Sequence, residues 1–330
     1  MSKNVCVNAA VVHFSAEGLD VAAGASSVTG NVRKINEDSV LLRPGRYAVA
    51  DGMGGHDAGD VASRLTIEAI ESFLDDTDAD VSALAGLVQC ANDRVRSHAV
   101  QAGTEGMGST LVCAIVVENG DDRSIVVVNV GDSRCYLLNN DVLSQLTRDH
   151  SHVQDLVDRG VISRAEALTH PERNVVTRAI GVEESVAGDF YMIPTEQRLR
   201  ILLCSDGVSG ELTDDEIENV LQSTPNPADA AEQLIARVLD GPARDNASAV
   251  VIDVERSSVR RPILDSLDTD VTGPRRRPIN PWMAPADPVD DVPSLIATVP
   301  LMPDRILTDP VVTAPAEQPL ISEVPRGLSD

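Results

Sequence analysis

Acidic residues stand at the ends of several apolar runs in this chain, each close to a glycine or an asparagine. Some directly follow runs such as YAVA and ILLCS, and others directly precede such runs. These positions are Glu37, Asp38, Asp51, Asp132, Asp206 and Asp245. Carboxylates gathered in one place raise one another's pKa unless cations neutralise them. Because hard divalent cations such as Mg²⁺ and Mn²⁺ prefer oxygen ligands, the pattern indicates a dinuclear divalent-metal hydrolase or a metal-binding domain.

Other interpretations of the same residues stay open at this point. A single Asp-Gly pair is typical of an ordinary turn, and spacing alone does not bring the strand ends together. Histidine and cysteine spacings typical of zinc sites are absent from the sequence. An acidic Ca²⁺-binding interaction protein would carry a D-x-[DN]-x-[DN]-G loop followed by glutamate, and the sequence has none.

The elements that must position these residues alternate between short β-rich runs and amphipathic helical stretches. Strands are predicted at 47–50, 109–117, 124–130, 134–138, 200–204 and 247–254. Helices are predicted at 58–75, 84–100, 151–159, 214–222 and 228–239. Strands that follow one another without intervening helices at 109–146, with a hairpin turn at Asn119-Gly120, favour antiparallel pairing and an α+β fold.

The charge and the cysteines restrict the class of protein. A net charge of −25 over 330 residues argues against a general nucleic-acid binder or a binder of anionic membranes, both of which need cationic surface. The five cysteines are odd in number and lie mostly in apolar runs, which favours reduced thiols in a cytoplasmic protein. Because no run of 18 apolar residues occurs, we expect no membrane anchor.

A shift in composition divides the chain near residue 256. Thirteen of the 19 prolines lie in residues 256–330, which carry 8 arginines against 11 acidic residues. This Pro-rich tail is predicted to be disordered. The segment before it keeps a net charge of −22, so the acidity belongs to the folded part.

A series of motifs in family order resembles the bacterial branch of the metal-dependent protein phosphatase 2C (PPM) family. The matching segments are RKINED (33–38), VADGMGGHDAGDVAS (49–63), GMGSTLV (106–112), VNVGDSRCYLL (128–138), LTRDHS (146–151), HPERNVVTRAIG (170–181), LLCSDGVSGELTDDEI (202–217) and DNASAVV (245–251). Together they are far more specific than any one motif. The resemblance covers 20–255, which leaves an N-terminal extension at 1–19 and the tail at 256–330.

The resemblance implies a fold of two stacked antiparallel β-sheets flanked by helices, an α-β-β-α sandwich. It also implies a serine/threonine protein phosphatase that uses two Mn²⁺ or Mg²⁺ ions, with a site for a third, weaker ion. Asp51 would bridge the first two ions, and the Gly52 carbonyl and, through water, Asp38 or Glu37 would hold the first. Asp206 and Asp245 would hold the second, Asp132 with Asp206 would hold the third, and Asn246 would support the site. In this reading Arg33, Asp51 and Asp206 are the catalytic positions.

The chemistry that the resemblance implies is direct hydrolysis. A water that bridges two divalent ions has a lowered pKa and can attack phosphorus in line, while Arg33 offers its planar fork to the phosphoryl oxygens. Eukaryotic members carry a histidine directly after the Asp-Gly pair, where this chain and bacterial members have Met53. His56 lies three residues later and is a candidate supporting group or a loop histidine, so the donor of the leaving-group proton stays open.

Residues 149–181 resemble the family's mobile flap beside the active site, although an ordinary connecting helix and loop would read the same way. His150, His152 and His170 within it are interpreted as structural or solvent-facing. The expected partners are phosphorylated proteins and a bacterial Ser/Thr kinase or its substrates. The alternative function is a catalytically inactive, metal-binding regulatory module that binds phosphoproteins, which would be expected to lack Asp51, Asp206 or Asp245.

Overall fold

The computed structural model describes residues 11–16, 19–55, 58–76, 83–119, 122–195 and 198–256. Predictions for the remaining residues therefore lie outside the described part of the chain. These are the disorder of the tail, the role of His56 and the turn at Gly120. None of the helices in the described ranges combines the length and the apolar composition needed to cross a bilayer.

Two antiparallel sheets form the centre of the molecule. The strands are β1 (Val12–Ala16), β2 (Leu19–Val28), β3 (Asp38–Arg43), β4 (Arg46–Met53), β5 (Gly108–Ser109), β6 (Leu111–Asn119), β7 (Asp122–Val130), β8 (Arg134–Asn139), β9 (Val142–Gln145), β10 (Asp189–Pro194), β11 (Leu199–Cys204) and β12 (Ala247–Arg256). The first sheet has the order β1-β2-β12-β11-β8-β9. The second has the order β10-β7-β6-β4-β3, with β5 paired to β4.

Helices flank both sheets, and two short helices lie in the connection between β9 and β10. They are α1 (Gly59–Asp76), α2 (Leu87–Ala102), α3 (His152–Asp158), α4 (Arg164–Ala167), α5 (Asp206–Ser209), α6 (Asp214–Ser223) and α7 (Pro227–Asp240). A capping box at Thr213 starts α6: its hydroxyl accepts from the Glu216 amide, and the Glu216 side chain accepts from the Thr213 amide. Asn226 caps α7, and Pro227 occupies its first turn, where the missing amide costs nothing.

Three apolar clusters account for the layered arrangement. One fills the space between the two sheets and includes Val127, Ile201 and Ile252. The second packs α1 and α2 on the outer face of the second sheet, and the third packs α6 and α7 on the outer face of the first sheet. Because each sheet buries side chains on both faces, the layers follow the predicted α-β-β-α order.

Strand β2 was missed by the sequence analysis. Its sequence LDVAAGASSV is rich in alanine, serine and glycine, which have low strand propensity. It forms a strand because it pairs along its length with β12 and because α7 packs closely against it. A Cβ on Gly24 would lie 2.3 Å from the Ala228 Cα, so the small residues serve this close packing.

The sheet also begins earlier in the chain than residue 20. Strand β1 pairs with β2 from Val12↔Ala23 to Ala16↔Leu19, so part of the predicted N-terminal extension belongs to the first sheet. The run predicted as one strand at 109–117 is divided into β5 and β6 at Thr110. Strands β6 and β7 pair up to Asn119↔Asp122, as the predicted hairpin requires.

The segment predicted as a flap leaves and rejoins the sheets through backbone bridges. Ser151 bridges Val176, and Ser109 bridges Ile180. Between them lie α3 and α4, separated by Gly160 at φ +68, a conformation that glycine adopts without strain. The segment is therefore closed at its base by pairing with strand β5.

Candidate metal centre

The acidic residues singled out from the sequence collect at one end of the sandwich. Asp206 follows β11 and Asp245 precedes β12, and these two strands pair antiparallel, so both residues lie at the same end of the first sheet. Asp132 precedes β8, which also pairs with β11 at this end. Asp38 and Asp51 face each other across β3 and β4 in the second sheet. The antiparallel register thus brings five carboxyl groups from distant parts of the chain together.

Asp38 links the two sheets at this end. Its Oδ2 accepts a hydrogen bond from the Ser205 hydroxyl at 2.8 Å, and its side chain is only 8% exposed. Its Oδ1 is buried and has no hydrogen-bond partner among the described residues. Burial and the nearby carboxylates of Asp206 and Asp245 raise the pKa of Asp38 to about 7. An unpartnered, buried carboxylate oxygen of this kind is a ready ligand for a cation.

Asp51 is held by its main chain at the break between β5 and β6. Its amide donates to the Thr110 hydroxyl at 2.9 Å, and its carbonyl accepts from the Thr110 amide at 2.8 Å. Burial, followed by the charges of Asp38 and Asp206, raises its pKa well above the usual value. The backbone contacts leave the carboxyl group free to face the other acidic groups.

Asp206 and Asp132 form the other side of the cluster. Burial and the charge of Asp245 raise the pKa of Asp206. Burial, followed by the charge of Asp206, raises the pKa of Asp132 to about 8. Asp132 is 9% exposed, so water offers it little relief from these like charges. Asp206 thus lies near enough for its charge to act on Asp132.

Gly52 lies in a position that admits no side chain. A Cβ at Gly52 would lie 2.0 Å from the Gly59 carbonyl oxygen and 2.7 Å from the Glu37 carbonyl oxygen. The Gly52 amide donates to that Glu37 carbonyl at 3.1 Å. The start of α1 can therefore approach the Asp51-Gly52 strand end closely, and only glycine permits this.

Asn246 organises the loop that carries Glu37. Its Oδ1 accepts from the Glu37 amide at 2.8 Å, and its Nδ2 donates to the Thr29 and Ile35 carbonyls, each at 2.9 Å. Asn246 is 3% exposed, so these bonds satisfy its polar atoms. Asn246 is uncharged and supports the cluster by holding the backbone of the loop that carries Glu37.

Arg33 lies at the rim of the cluster. Its Nη2 lies 2.7 Å from Asp245 Oδ2, and its Nη1 lies 3.5 Å from Glu37 Oε2. The hydrogen bond to Asp245 is the main reason that the pKa of Arg33 is raised. With its side chain 47% exposed, the guanidinium can bind a group that arrives from solvent. In this arrangement Arg33 competes with a cation for Asp245.

The donor set fits hard divalent cations. It consists of carboxylates with a backbone carbonyl beside them, and repulsion among the carboxylates is relieved by positive charge. Within the described ranges, no three acidic, histidine or cysteine side chains surround a single point as a complete metal site would. Because Mg²⁺ and Mn²⁺ keep several water ligands, the protein needs to supply only a few of the oxygen ligands of each ion.

Two hydroxyl residues at the site were missed by the sequence analysis. Ser205 donates to Asp38 and accepts from the Ser248 amide at 3.0 Å. Thr110 binds the Asp51 amide and shares a 2.7 Å hydrogen bond with the Ser133 hydroxyl. Ser205 and Ser133 each adjoin one of the acidic strand-end residues. Their position next to an acidic residue was the only sequence signal for these serines. Which groups they bind depends on how the strands pair, and the sequence of one strand does not show that pairing.

Mn²⁺ is expected to stabilise the protein more at pH 7.5 than at pH 5.5. The raised pKa values of Asp38 and Asp132 mean that the folded chain holds protons that the unfolded chain releases near pH 4. Without metal, stability from these groups is therefore present at low pH and is lost as the pH rises to about 8. Metal binding replaces the protons, so its effect grows over the same window.

Thermal unfolding with Mn²⁺ and with chelator measures this difference. The increase in Tm caused by Mn²⁺ should be at least ~5 °C larger at pH 7.5 than at pH 5.5. A sample without Mn²⁺, brought to the same ionic strength with NaCl, is the control for the screening of charges by salt. An increase in Tm that is equal at the two pH values would contradict a metal site built from these carboxyl groups.

Comparison with known proteins agrees with this geometry. A model of the protein phosphatase 2C family matches residues 35–241. A serine/threonine phosphatase of Listeria innocua is 36% identical over 236 residues, which are 68% of this chain and 92% of the relative. The serine/threonine protein phosphatase PstP of Mycobacterium tuberculosis is 41% identical over 234 residues, which are 70% of this chain and 44% of that protein.

Solved structures show the same similarity in three dimensions. The catalytic domain of PstP in complex with two manganese ions aligns with a TM-score of 0.63 and 37% identity, covering 72% of this chain and 99% of that one. The phosphatase MsPP of Mycobacterium smegmatis in complex with cacodylate aligns with a TM-score of 0.64 and 34% identity, with coverage of 72% and 99%. The two sheets and their flanking helices are shared with these structures.

Proposed function

The chain belongs to the protein phosphatase 2C family, and on that premise we propose how its own residues act. It is a metal-dependent serine/threonine protein phosphatase, a hydrolase of phosphoric monoesters. The observation that carries the assignment of its site is the convergence of five acidic strand ends at one end of the sandwich, where the carboxyl groups raise one another's pKa.

The ion ligands are assigned from this cluster. Asp51 would be a ligand of two ions; the Gly52 carbonyl and, through water, Asp38 or Glu37 would help to hold the first, and Asp206 and Asp245 would help to hold the second. Asp132 and Asp206 offer a site for a third, weaker ion. Mn²⁺ or Mg²⁺ suits these oxygen donors. When bound, the ions supply an activated water for attack on phosphorus.

The chain's own side chains complete the reaction site. Ser205 holds Asp38, and Thr110 holds the Asp51 backbone, so both carboxylates are oriented before substrate arrives. The Arg33 guanidinium lies at the exposed rim of the cluster, where its fork could bind the phosphoryl oxygens and offset negative charge. The segment 149–181 closes beside the same end of the sandwich and is proposed to gate the substrate.

The physiological setting remains part of the proposal. The substrates are phosphorylated proteins, and the opposing enzyme is a bacterial Ser/Thr kinase. The buried, unpaired thiols of Cys113, Cys135 and Cys204 support a reducing compartment such as the cytoplasm. Carboxylates occupy all the assigned acidic positions, so nothing in the described residues favours the inactive regulatory module.

Release of phosphate from a phosphothreonine peptide tests the proposed function. Activity should require Mn²⁺ or Mg²⁺ and should fall below ~1% in excess chelator, because the activated water depends on the ions. Adding Mn²⁺ back beyond the chelator should restore it, which controls for unfolding. A folded protein that releases no phosphate in Mn²⁺ would favour the regulatory module.

A further inference from the structure

His150 is a buried histidine with both ring nitrogens in polar contacts. Its side chain is fully enclosed. The Gly131 amide donates to its Nδ1 at 3.1 Å, and its Nε2 lies 3.2 Å from Asp189 Oδ2. Because Nδ1 accepts a hydrogen bond, a neutral ring carries its proton on Nε2, which faces the Asp189 carboxylate and also lies 3.1 Å from Arg178 Nη1. This ring therefore does more than fill apolar space.

The same residue also holds Gly131 through its main chain. The His150 amide donates to the Gly131 carbonyl at 2.9 Å, so His150 binds both polar groups of this glycine. Gly131 has φ +104, and a Cβ there would lie 2.7 Å from the Thr110 Cγ2. A left-handed glycine has few intrinsic restraints, so these contacts fix the peptide that leads into Asp132.

Asp132 is thus held from both sides. Before it, Gly131 is bound by His150. After it, the Ser133 hydroxyl shares a 2.7 Å hydrogen bond with Thr110, whose hydroxyl accepts from the Asp51 amide. Because Ser133 is held by Thr110, a shift of Gly131 would change the position of Asp132 relative to Ser133.

His150 lies where the segment 149–181 leaves the sheets, and it contacts the returning end of that segment. Its carbonyl accepts from the Thr177 amide at 2.8 Å, and Arg178 Nη1 lies 2.9 Å from Asp189 Oδ1. The hydrogen bond from His150 is the main cause of the lowered pKa of Asp189. Asp189 therefore stays ionised and is a charged partner of both His150 and Arg178 at the base of the segment.

We propose that His150 is a positioning residue that fixes the Gly131 peptide, and through it Asp132, to the base of the segment 149–181. The proposal rests on the proposed function, in which Asp132 is a ligand of the weakest ion. In this proposal the segment 149–181 affects metal affinity without contacting the ion. The contacts responsible are those of the His150 imidazole with the Gly131 peptide.

Two amide variants of His150 distinguish the contribution of Nδ1 from that of Nε2. In His150→Asn the side-chain oxygen can take the place of Nδ1 and accept from Gly131. In His150→Gln the side-chain nitrogen can take the place of Nε2 and donate to Asp189, but no acceptor faces Gly131. His152→Gln, at a 39% exposed histidine in the same segment, is the matched control.

Mn²⁺ binding to the full chain, followed by the paramagnetic resonance of free Mn²⁺, gives a measurement that is independent of turnover. His150→Gln is expected to weaken the weakest binding step about tenfold, the equivalent of ~1.4 kcal/mol. His150→Asn and His152→Gln should stay within about twofold of wild type. Hydrogen exchange of the Gly131 amide should be faster in His150→Gln alone.

Equal weakening in His150→Asn and His150→Gln would overturn the proposal, because loss of ring packing would then be the cause. Unchanged binding in both would overturn it as well. If His150→Gln does not fold, His150→Asn still tests the proposal: it keeps an acceptor for the Gly131 amide, so weakening of the same step by more than about twofold would overturn the proposal. A wild type that lacks Mn²⁺-dependent phosphatase activity would instead refute the proposed function.

Discussion

Replacing Asp51 or Asp206 by asparagine is expected to lower Mn²⁺-dependent phosphate release by at least ~10³-fold. Loss of a group that only supports a metal ligand typically costs 10 to 100-fold, and these two residues are assigned as ligands themselves. Asparagine keeps the size of the side chain but removes the charge that neutralises the ions. The measurement is kcat/KM for a phosphothreonine peptide at saturating Mn²⁺.

The same variants should become more stable in chelator. The charge of Asp206 raises the pKa of Asp38, Asp51 and Asp132, and the pKa of Asp51 is raised by its acidic neighbours, so removing either charge relieves repulsion in the metal-free fold. We expect Tm at pH 7.5 to rise by ~3 °C in chelator and to lose most of its response to Mn²⁺.

Asp215→Asn is the matched control for these variants. Asp215 is exposed in the first turn of α6, away from the acidic cluster. It should leave activity within about twofold of wild type, since a surface charge contributes little. Activity of Asp51→Asn within tenfold of wild type would show that the bridging position is wrongly assigned.

Replacing Arg33 by alanine is expected to lower kcat/KM by about 100-fold. Each hydrogen bond to a charged group contributes roughly 1.5–3 kcal/mol, and the guanidinium can offer two to a phosphoryl group. Arg33→Lys keeps the charge but loses the planar fork, so a loss of about tenfold is expected. Inorganic phosphate should also inhibit both variants more weakly than wild type.

The neighbouring cation provides the control for Arg33. Lys34 is exposed one residue later, and Lys34→Ala should change kcat/KM by less than twofold. If Lys34→Ala and Arg33→Ala had equal effects, general attraction of the substrate would explain the result. If Arg33→Ala had none, the pair with Asp245 at 2.7 Å would be only structural.

Much of the fold was accessible from local sequence. Valine- and isoleucine-rich runs predicted the strands that became β4, β7, β8, β11 and β12, and the apolar spacing of 58–75 predicted α1. These features depend on propensity and periodicity over a few residues, which a single sequence displays directly.

Strands β2 and β10 show where local sequence fails. The alanine- and serine-rich β2 is a strand because β12 and α7 enclose it, and β10 is defined by its pairing with β7. Neither partner is near in sequence. Tertiary packing overrides weak propensity in such segments.

Local sequence was enough to identify the residue types that could do chemistry: acidic strand ends beside glycines, Arg33 three residues before Asn36, and a family pattern that covers 20–255. That these strand ends meet depends on the fold, because the antiparallel register of β11 with β12 and β8, and of β3 with β4, sets which strand ends are neighbours. The fold also decided the roles of Ser205, Thr110 and His150. A hydroxyl or an imidazole has no fixed role until its partner, far away in the chain, is placed within hydrogen-bond distance.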